Sequence, residues 1–462
     1  MMPNNALPKG WRRVAIKDMA DSIQYGLTAS AAERKEGPRF LRITDIQDGR
    51  VDWSTVPSCD IAKEQIPKYR LSSGDLVFAR TGATTGKSFL IGECPEAVFA
   101  SYLIRVRVSA DVDSRYLSAF FQSPDYWRQI EGGKRGIGQP NVNGSVLGEV
   151  QFPVAPLPEQ RLIVAEIEKQ FTRLEAGVAA LRRVQANLKR YRAAVLTAAC
   201  EGCLVPTESE LAKTGHRKSK FETGEGLLAH ILVNRRQKWK GRGKYNEPNA
   251  PDTTNLPKLP EGWKWATVAQ LSFLDIGFAF KSAEFAKSGV RLLRGENLEP
   301  GKMRWSDTRY WPDSKLDEFR QLLIREGEIV LAMDRPLVSS GLKIARARPD
   351  DLPCLLVQRM ARFRPINEEM TSFMFTALNT HGFIKHLLGG QTGTQLPHIS
   401  GDGIQSFPIA LPPLTEQKRI VAEVERRLSV VEEMEAVVSS NLQRATRLRQ
   451  SILQKAFTGN LI

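Results

Sequence analysis

Two long stretches of the chain place an apolar residue at every third or fourth position. In the first stretch these residues are Ile163, Ile167, Phe171, Leu174, Val178, Leu181, Val184, Leu188, Tyr191 and Val195. In the second they are Ile420, Val424, Leu428, Val431, Met434, Val438, Leu442, Ala445, Leu448 and Ile452. This spacing, kept over about five heptads with charged flanks, predicts two long helices that each carry one coiled-coil seam. Such a helix needs a partner. The other stretch supplies one, although helices of another subunit would also fit.

The regions that precede the two long helices contain short β-branched and aromatic runs separated by glycine and proline. The predicted strands lie at 39–43, 75–79 and 102–108, and again at 290–294, 328–332 and 360–364. Helical segments are predicted near 114–122 and 369–381. The fold class expected from this mixture is α/β in the broad sense, a mixed α+β arrangement.

The chain also repeats itself at the level of motifs. Leu-Pro-x-Gly-Trp at 7–11 recurs at 259–263, Gly-x-x-x-Trp at 49–53 recurs at 301–305, and Leu-x-Glu-Gln at 157–160 recurs at 414–417. Gly202 and Gly459 lie at matching places after the helices, where C-cap glycines are favoured. The repeated unit of about 200 residues is far longer than a solenoid repeat and has the size of a domain with an arm. A duplicated domain suggests a duplicated target.

The duplication divides the chain into five segments. We expect a globular region at 1–156, a long helix at 157–205, a basic linker at 206–258, a second globular region at 259–413 and a second long helix at 414–462. The linker is predicted to hold one short helix, near 226–240.

Composition narrows the class of protein. The 462 residues carry a formal net charge of +15, and a field of this sign attracts polyanions such as nucleic acid. No apolar stretch approaches the roughly 18 residues of a membrane span, and the first residues do not resemble a signal peptide. Five cysteines at unmatched positions of the two copies make a disulfide framework improbable. We therefore expect a cytoplasmic protein.

We find no sequence motif that indicates a nucleotide, metal or catalytic site. The segment Gly82-Ala83-Thr84-Thr85-Gly86-Lys87 has three residues between its glycines, whereas a phosphate-cradling loop needs four. Cys200 and Cys203 have a metal-like spacing but no second pair, so small core residues at a helix end are the better interpretation. No methyltransferase or nuclease motif is recognisable, and the five histidines form no cluster. The sequence predicts no catalytic and no metal site, which favours a recognition scaffold over an enzyme.

With these motifs in place, the chain resembles a specificity subunit of a type I restriction-modification system. The resemblance covers nearly the whole length. It includes the two Leu-Pro-x-Gly-Trp openings, the strands at 74–80 and 327–333, the Glu-Gln helix starts and the arginine-rich helix ends at 188–202 and 445–459. It implies that each α/β region is a target-recognition domain. It also implies that the helices form a long antiparallel two-helix coiled coil that holds these domains apart. Because the two copies differ in sequence, the expected DNA target is bipartite and asymmetric.

The resemblance also implies partners and cofactors. Two methyltransferase subunits would carry S-adenosylmethionine, and restriction subunits would use ATP and Mg²⁺ to translocate and cut DNA. This chain would bind double-stranded DNA, would hold no cofactor and would be a non-catalytic subunit.

The family's recognition loops can be matched onto both copies to give candidate DNA-binding residues. In the first copy they are Arg80, Thr81, Thr84, Lys87, Lys134, Arg135, Gln139 and Asn141. In the second they are Arg335, Ser339, Ser340, Lys343, Gln391, Thr392, Thr394, Gln395 and His398. Arginine pairs with guanine, and asparagine or glutamine with adenine, although any of these side chains could instead contact phosphate. Met333 aligns with Arg80, which puts a shared role of that pair in doubt.

Two other functions remain open at this point. One is a DNA-binding or scaffold protein outside restriction that oligomerises through its coiled coil. The other, a fused nuclease or methylase, is disfavoured by the missing motifs.

Overall fold

A computed structural model describes residues 7–32, 37–47, 49–82, 84–133, 142–215, 221–239, 243–389 and 398–462. The chain forms two compact units. The first unit comprises residues 1–184 and 437–462, and the second comprises residues 185–436. Each unit therefore contains one globular region, the beginning of one long helix and the end of the other.

The first unit is a mixed α+β structure. Its strands are β1 (Arg12–Ala15), β2 (Ala20–Tyr25), β3 (Ala31–Ala32), β4 (Arg39–Leu41), β5 (Ile46–Gln47), β6 (Arg50–Val51), β7 (Ser58–Cys59), β8 (Leu76–Ala79), β9 (Ser88–Leu90), β10 (Ala97–Phe99), β11 (Leu103–Val108) and β12 (Gln151–Val154). Its helices are α1 (Ile66–Tyr69), α2 (Ser114–Phe120), α3 (Pro124–Gly133), α4 (Gly144–Gly148) and the long α5 (Leu157–Cys200), which continues into the second unit. Short 3-10 helices lie at Ile16–Asp18, Ile43–Asp45 and Lys63–Gln65.

Two four-stranded sheets organise the first unit. One has the order β2-β11-β8-β9 and is antiparallel throughout, whereas the other, β10-β4-β7-β3, pairs β10 and β4 in parallel. Strand β8 is apolar on both faces because α2 and α3 cover one face and the second sheet covers the other. Strand β11 is apolar on the face toward the helices and carries Arg105 and Arg107 on the opposite face. The strands predicted at 75–79 and 102–108 and the helix predicted near 114–122 are confirmed.

The second unit repeats this arrangement with additions. Its strands are β13 (Lys264–Thr267), β14 (Ser272–Ile276), β15 (Val290–Leu293), β16 (Leu298–Glu299), β17 (Lys302–Met303), β18 (Tyr310–Trp311), β19 (Ile329–Ala332), β20 (Leu337–Val338), β21 (Gly341–Leu342), β22 (Ile344–Arg346), β23 (Cys354–Leu356), β24 (Met360–Pro365) and β25 (Pro408–Leu411). Its helices are α6 (Glu208–Lys213), α7 (Gly224–Lys238), α8 (Val268–Leu271), α9 (Thr371–Leu378), α10 (His381–Leu388), α11 (Gly401–Gln405) and the long α12 (Leu414–Ala456), which continues into the first unit. Its 3-10 helices lie at Ser282–Glu284, Gly295–Asn297, Asp313–Leu322, Pro349–Asp351 and Glu368–Met370.

The main sheet of the second unit, β14-β24-β19-β22, has the same connectivity and antiparallel pairing as the main sheet of the first. A three-stranded sheet, β18-β15-β23, lies beside it with β15 and β23 parallel. The predicted internal duplication is thus present in strand order as well as in sequence, and corresponding residues of the two units can be compared.

Helices α5 and α12 run antiparallel wherever they meet. In the first unit Ile163 and Ile167, near the start of α5, share a core with Ile452 and Ala456, near the end of α12. In the second unit the end of α5 and the start of α12 share the other core. Parts of the predicted seam are less covered than its regular spacing suggests. Among its members Val184, Tyr191, Met434 and Leu448 are 42–51% exposed.

The repeated opening motif fixes the start of each long helix. The Trp11 indole N–H donates to Glu159 Oε1 (3.0 Å) in the first unit, and the Trp263 indole donates to Glu416 Oε1 (2.9 Å) in the second. Each glycine that follows a long helix is left-handed, with φ of 73° at Gly202 and 74° at Gly459. This confirms the prediction of C-cap glycines. Gly202 lies against Pro260, and Gly459 lies against Pro8.

The segment between the copies differs from the expected basic linker. It contains two helices, α6 and α7, rather than one, and Leu227, Leu228 and Ile231 of α7 belong to the core of the second unit. The carboxylate of Glu208 is fully buried. It accepts hydrogen bonds from Thr415 (2.8 Å) and from Arg419. The apolar residues of α7 and the ion pair between Glu208 and Arg419 therefore hold this segment to the rest of the second unit.

Candidate nucleic-acid interface

The first predicted loop connects β8 to β9 and spans residues 80–87. Two backbone bonds close it, from Gly86 N–H to the carbonyl of Ala79 (2.8 Å) and from Ala79 N–H to the carbonyl of Lys87 (2.9 Å). Gly86 is left-handed (φ 87°), and a Cβ there would lie 2.9 Å from Ile130. The buried Tyr126 hydroxyl donates to its carbonyl (2.7 Å). Glycine is required at this position by conformation and by space, so the loop has a rigid base.

Arg80 lies at the start of this loop, with its guanidinium carbon 5.0 Å from the ring centroid of Tyr25. The backbone N–H of Arg80 donates to the backbone carbonyl of Tyr102 (3.0 Å). Tyr25 is 41% exposed and Tyr102 is 63% exposed. The Tyr25 ring and the Arg80 guanidinium together are suited to contacts with bases and sugars as well as with phosphate.

The other predicted residues of this loop differ in accessibility. Thr81 and Thr84 are half-buried, and Lys87 is exposed. Thr84 supplies a carbonyl to the N–H of Lys87 (2.9 Å). Lys87 is therefore the exposed cation of this loop, Arg80 is half-buried, and the backbone of the threonine segment forms the turn.

The corresponding loop of the second unit spans residues 333–343 and contains a small hairpin. Ser339 and Ser340 form its exposed turn between β20 and β21. Arg335 is exposed, and its backbone is left-handed with φ of 43°. Lys343 instead points inward, since its ammonium donates to the carbonyl of Gly295 (3.0 Å).

Met333, which aligns with Arg80, is only 3% exposed and belongs to the core. The two positions therefore do not share a role in contacting a ligand, because only Arg80 reaches the surface. The doubt raised by the sequence alignment at this pair is justified by the burial of the methionine.

His398 lies beside this loop in an ionic cluster. Its Nδ1 is 2.6 Å from Asp334 Oδ1, and the other carboxylate oxygen of Asp334 accepts a hydrogen bond from Arg359 Nη1 (2.6 Å). The hydrogen bond with His398 and the charge of Arg359 hold the pKa of the Asp334 carboxyl below its usual range. The sequence analysis selected His398 but neither Asp334 nor Arg359.

The remaining predicted residues lie outside the described part of the chain. They are Lys134, Arg135, Gln139 and Asn141 in the first copy and Gln391, Thr392, Thr394 and Gln395 in the second.

Equivalent backbone hydrogen bonds join the same two segments in both units. The Met333 N–H donates to the carbonyl of Arg359 (2.8 Å), as the Arg80 N–H does to Tyr102, so Arg359 and Tyr102 correspond. Both side chains are mostly exposed, at 67% for Arg359 and 63% for Tyr102 as a residue. Sequence reasoning assigned Tyr102 to a strand and did not consider Arg359. The sequence could have indicated both residues, because a large polar or aromatic residue immediately precedes β11 in the first copy and β24 in the second.

Part of the basic charge is structural. Arg105 is 2% exposed and Arg362 is 4% exposed, both in the central strand of a main sheet. Arg362 Nη2 donates to Asp275 Oδ2 (2.6 Å), and neighbouring Arg107 pairs with the buried Asp75 (2.7 Å). Burial lowers the pKa of Arg105. These arginines stabilise the sheets and do not contribute to a ligand-binding face.

Other kinds of site find no support in the described residues. Within them, no group of three or more histidine, cysteine or acidic side chains is placed to hold a metal ion. Across the same residues, no helix has the length and apolar character needed to cross a membrane. Cys203 is exposed and Cys200 is partly buried, so the expectation that both would be core residues is wrong for Cys203.

Comparisons with known proteins agree with one another. The family described as "Type I restriction modification DNA specificity domain" matches residues 8–180 and 262–429, once in each unit. The chain is similar to the type I restriction enzyme EcoAI specificity subunit of Escherichia coli. The two are 29% identical over 298 residues, which cover 63% of this chain and 49% of that relative. The chain therefore aligns with about half the length of that subunit.

Two further comparisons cover more of the molecule. The EcoDI specificity subunit of Escherichia coli is 26% identical over 471 residues, covering 100% of this chain and 90% of that relative. A solved chain from a study of complex assembly and conformational transition of the type I R-M system is similar in fold. Its TM-score is 0.64 at 20% identity, over 99% of this chain and 100% of that one.

Proposed function

Because this chain belongs to the type I restriction modification DNA specificity family, we propose that it is the subunit that selects the DNA sequence on which such a system acts. Proteins of this kind recognise DNA targets. The proposal adds that each unit binds one half-site of a bipartite target and that the chain itself performs no chemistry.

One observation carries the proposal. The two units present the same backbone arrangement with different side chains at the surface, the half-buried Arg80 and exposed Tyr102 in the first and the exposed Arg335 and Arg359 in the second. Two units with the same backbone but different surface side chains would bind two different half-sites. Hydrogen bonds and apolar contacts to base edges determine which sequence is bound. The target is therefore expected to be asymmetric.

The candidate residues contribute in different ways under this proposal. Arg80, Lys87 and Arg335 supply positive charge for phosphates and donors for bases. The serines at the tip of the second loop supply short hydroxyls that can contact phosphate or a base edge.

The partners follow from the same proposal. Two methyltransferase subunits would bring S-adenosylmethionine, and restriction subunits would bring ATP and Mg²⁺, so this chain needs no cofactor of its own. It would act in the cytoplasm, where its DNA lies.

The first experiment compares the purified chain with the assembled complex. We expect DNA methylation only when this chain, a methyltransferase partner and S-adenosylmethionine are all present. Methyl transfer by the chain alone would contradict a non-catalytic role. Sequence-independent methylation by the complex would contradict the role in target selection.

A second experiment tests whether the half-sites are independent. Residues 1–156 are exchanged for the equivalent region of a relative, and methylated sites are mapped across a genome. One half of the target should change while the other is retained. Exchange of residues 259–413 is the matched experiment and should change the opposite half. A change of both halves in either chimera would count against independent units.

A further inference from the structure

Arg359 occupies an unusual backbone conformation beside the loop of the second unit. Among the described residues, Arg335 and Arg359 are the two non-glycine residues with positive φ, at 43° and 63°. For an arginine the left-handed region is less favourable than the ordinary helical or extended regions, because Cβ then lies too close to the carbonyl oxygen. Such outliers concentrate at functional sites, because the surrounding structure must hold them in place.

The backbone on both sides of Arg359 is firmly anchored. Its carbonyl accepts from the N–H of Met333 (2.8 Å), and the N–H of Gln358 donates to the carbonyl of Phe278 (2.8 Å). Met333 is 3% exposed and Met360 is fully buried. The side chain of Arg359 therefore leaves the protein from a fixed point, in a direction set by the core beneath it.

The guanidinium of Arg359 is oriented by a carboxylate that is itself held on its other side. Asp334 Oδ2 accepts from Arg359 Nη1, and Asp334 Oδ1 lies 2.6 Å from His398 Nδ1. An antiparallel bridge joins the backbones of Asp334 and His398, and the N–H of Ile399 donates to the carbonyl of Met333 (2.8 Å). This contact leaves further N–H groups of the guanidinium free, and the side chain remains 67% exposed.

We propose that Arg359 reads a guanine in the half-site bound by the second unit, and that Asp334 is the positioning residue that aims it. The inference rests on the proposed function of DNA recognition and names one contact within it. Guanine presents two acceptors, O6 and N7, on its major-groove edge, and a bidentate arginine is the commonest partner for them.

A base edge suits this arginine better than a phosphate. The carboxylate of Asp334 neutralises much of the guanidinium charge and would repel a phosphate brought close to the pair. The acceptor edge of guanine is uncharged as a whole, so it loses less from the neighbouring carboxylate. Orientation, which the ion pair supplies, matters more for a planar two-point contact than for attraction to the DNA backbone.

At the two corresponding positions the first unit has no ion pair. Tyr102 stands where Arg359 stands, and Thr81 stands where Asp334 stands. A tyrosine cannot donate two parallel hydrogen bonds to guanine. The guanine contact is therefore expected in one half-site and not at the corresponding position of the other.

The test measures which duplexes the full chain, assembled with its methyltransferase partner, selects from a randomised DNA pool. Arg359→Ala should lower the preference for guanine at one position of the second half-site by roughly 5- to 150-fold. Arg359→Lys keeps the charge but not the planar fork, so it should restore overall binding more than it restores guanine preference. Asp334→Asn should weaken the preference for guanine at the same position and leave the half-site bound by the first unit unchanged.

Arg426→Ala is the matched control. Arg426 belongs to the same unit, is equally exposed at 67% and is also paired with a carboxylate, that of Glu423 (2.7 Å), but it lies on α12. This variant should keep the selected sequence. Thermal unfolding of each variant shows whether it remains folded.

Several results would overturn the inference. If Arg359→Ala weakens binding to all duplexes equally and reduces its dependence on salt, the residue contacts phosphate. If the affected position holds another base, or if Arg359→Ala selects the wild-type sequence, the guanine contact is wrong while DNA recognition stands. If the wild-type complex selects no sequence at all, the proposed function itself fails.

Discussion

At the scale of residues, the basic side chains of this protein divide into two groups. Arg105 and Arg362 are buried in the sheets and paired with carboxylates or carbonyl oxygens, whereas Arg80, Arg335 and Arg359 reach the surface beside the predicted loops. A net charge of +15 thus overstates the charge available to DNA, and the location of each arginine determines its use.

The two tryptophans of the repeated opening motif allow a paired prediction. Trp11 is 8% exposed and Trp263 is 7% exposed, and each donates to a glutamate. Glu416 is fully buried, and burial raises the pKa of its carboxyl, whereas Glu159 is half-buried. Trp263→Phe leaves a buried carboxylate without one donor and should cost about 1–3 kcal/mol beyond the lost volume.

Trp11→Phe is the matched control, since water can replace the lost donor at Glu159. It should cost less than Trp263→Phe by about 1 kcal/mol or more. The free energy of unfolding, measured with denaturant, provides the comparison. Equal losses in the two variants would mean that burial of the glutamate does not matter.

The cysteines provide a second prediction at this scale. Burial raises the pKa of Cys59 to about 11 and that of Cys354 to about 12, whereas Cys203 is exposed. Only the thiolate is alkylated, and at pH 8 about 0.1% of Cys59 would be in that form. Cys203 should therefore react first with iodoacetamide, as followed by mass spectrometry. Labelling of Cys59 should accelerate as the pH rises toward 11. Rapid labelling of all three in the folded protein at pH 8 would contradict this order.

At the scale of elements, the ends of the long helices are fixed by glycine. Gly202 has φ of 73°, and a Cβ there would lie 2.5 Å from Pro260. Gly202→Ala combines left-handed strain with a steric clash, so it should cost at least about 2 kcal/mol.

Gly215→Ala separates these two contributions. Gly215 belongs to the same unit and has nearly the same φ, 74°, but nothing lies within 4 Å of a Cβ built there. It should cost about 1 kcal/mol from backbone strain alone. Thermal unfolding of both variants checks the difference. An equal loss of stability would show that contact with Pro260 has no energetic weight.

At the scale of the whole molecule, each long helix belongs partly to both units. Leu157–Cys200 has 44 residues and Leu414–Ala456 has 43, each roughly 65 Å in length. If the paired helices set the separation of the half-sites, adding four residues after Val184 and four after Ala436 should add about 6 Å. The mapped target should gain one or two base pairs of spacer, at about 3.4 Å each, and keep both half-sites.

Two residues inserted at each of the same places form the control. They rotate the apolar seam by about 200°, so pairing and assembly should be lost. Methylation of randomised DNA by the complex measures the spacer directly. An active four-residue variant with an unchanged spacer would mean that the helices do not determine the distance.

Local sequence patterns were sufficient to predict the two long helices, the central strands of the main sheets, the duplication and the place of the loop that follows residue 79. Each of these features is indicated by the order of residues within a short segment. The three-four spacing of the seam, the apolar runs at 75–79 and 328–332, and the repeated Gly-Trp motif need no knowledge of distant contacts.

Which side chains lie on the surface beside the loops at 80–87 and 333–343 became clear only from the tertiary structure. Lys343 and Met333 belong to the predicted loop but turn inward, toward Gly295 and the core. Tyr102 and Arg359 reach the same surface from a different segment, through a backbone bond between residues more than 20 positions apart. Long-range packing likewise determines the insertion of α7 into the core of the second unit and the burial of Glu208. Periodicity reports which face of an element is apolar, but the partners of that face depend on long-range packing, which one sequence does not encode in any local pattern.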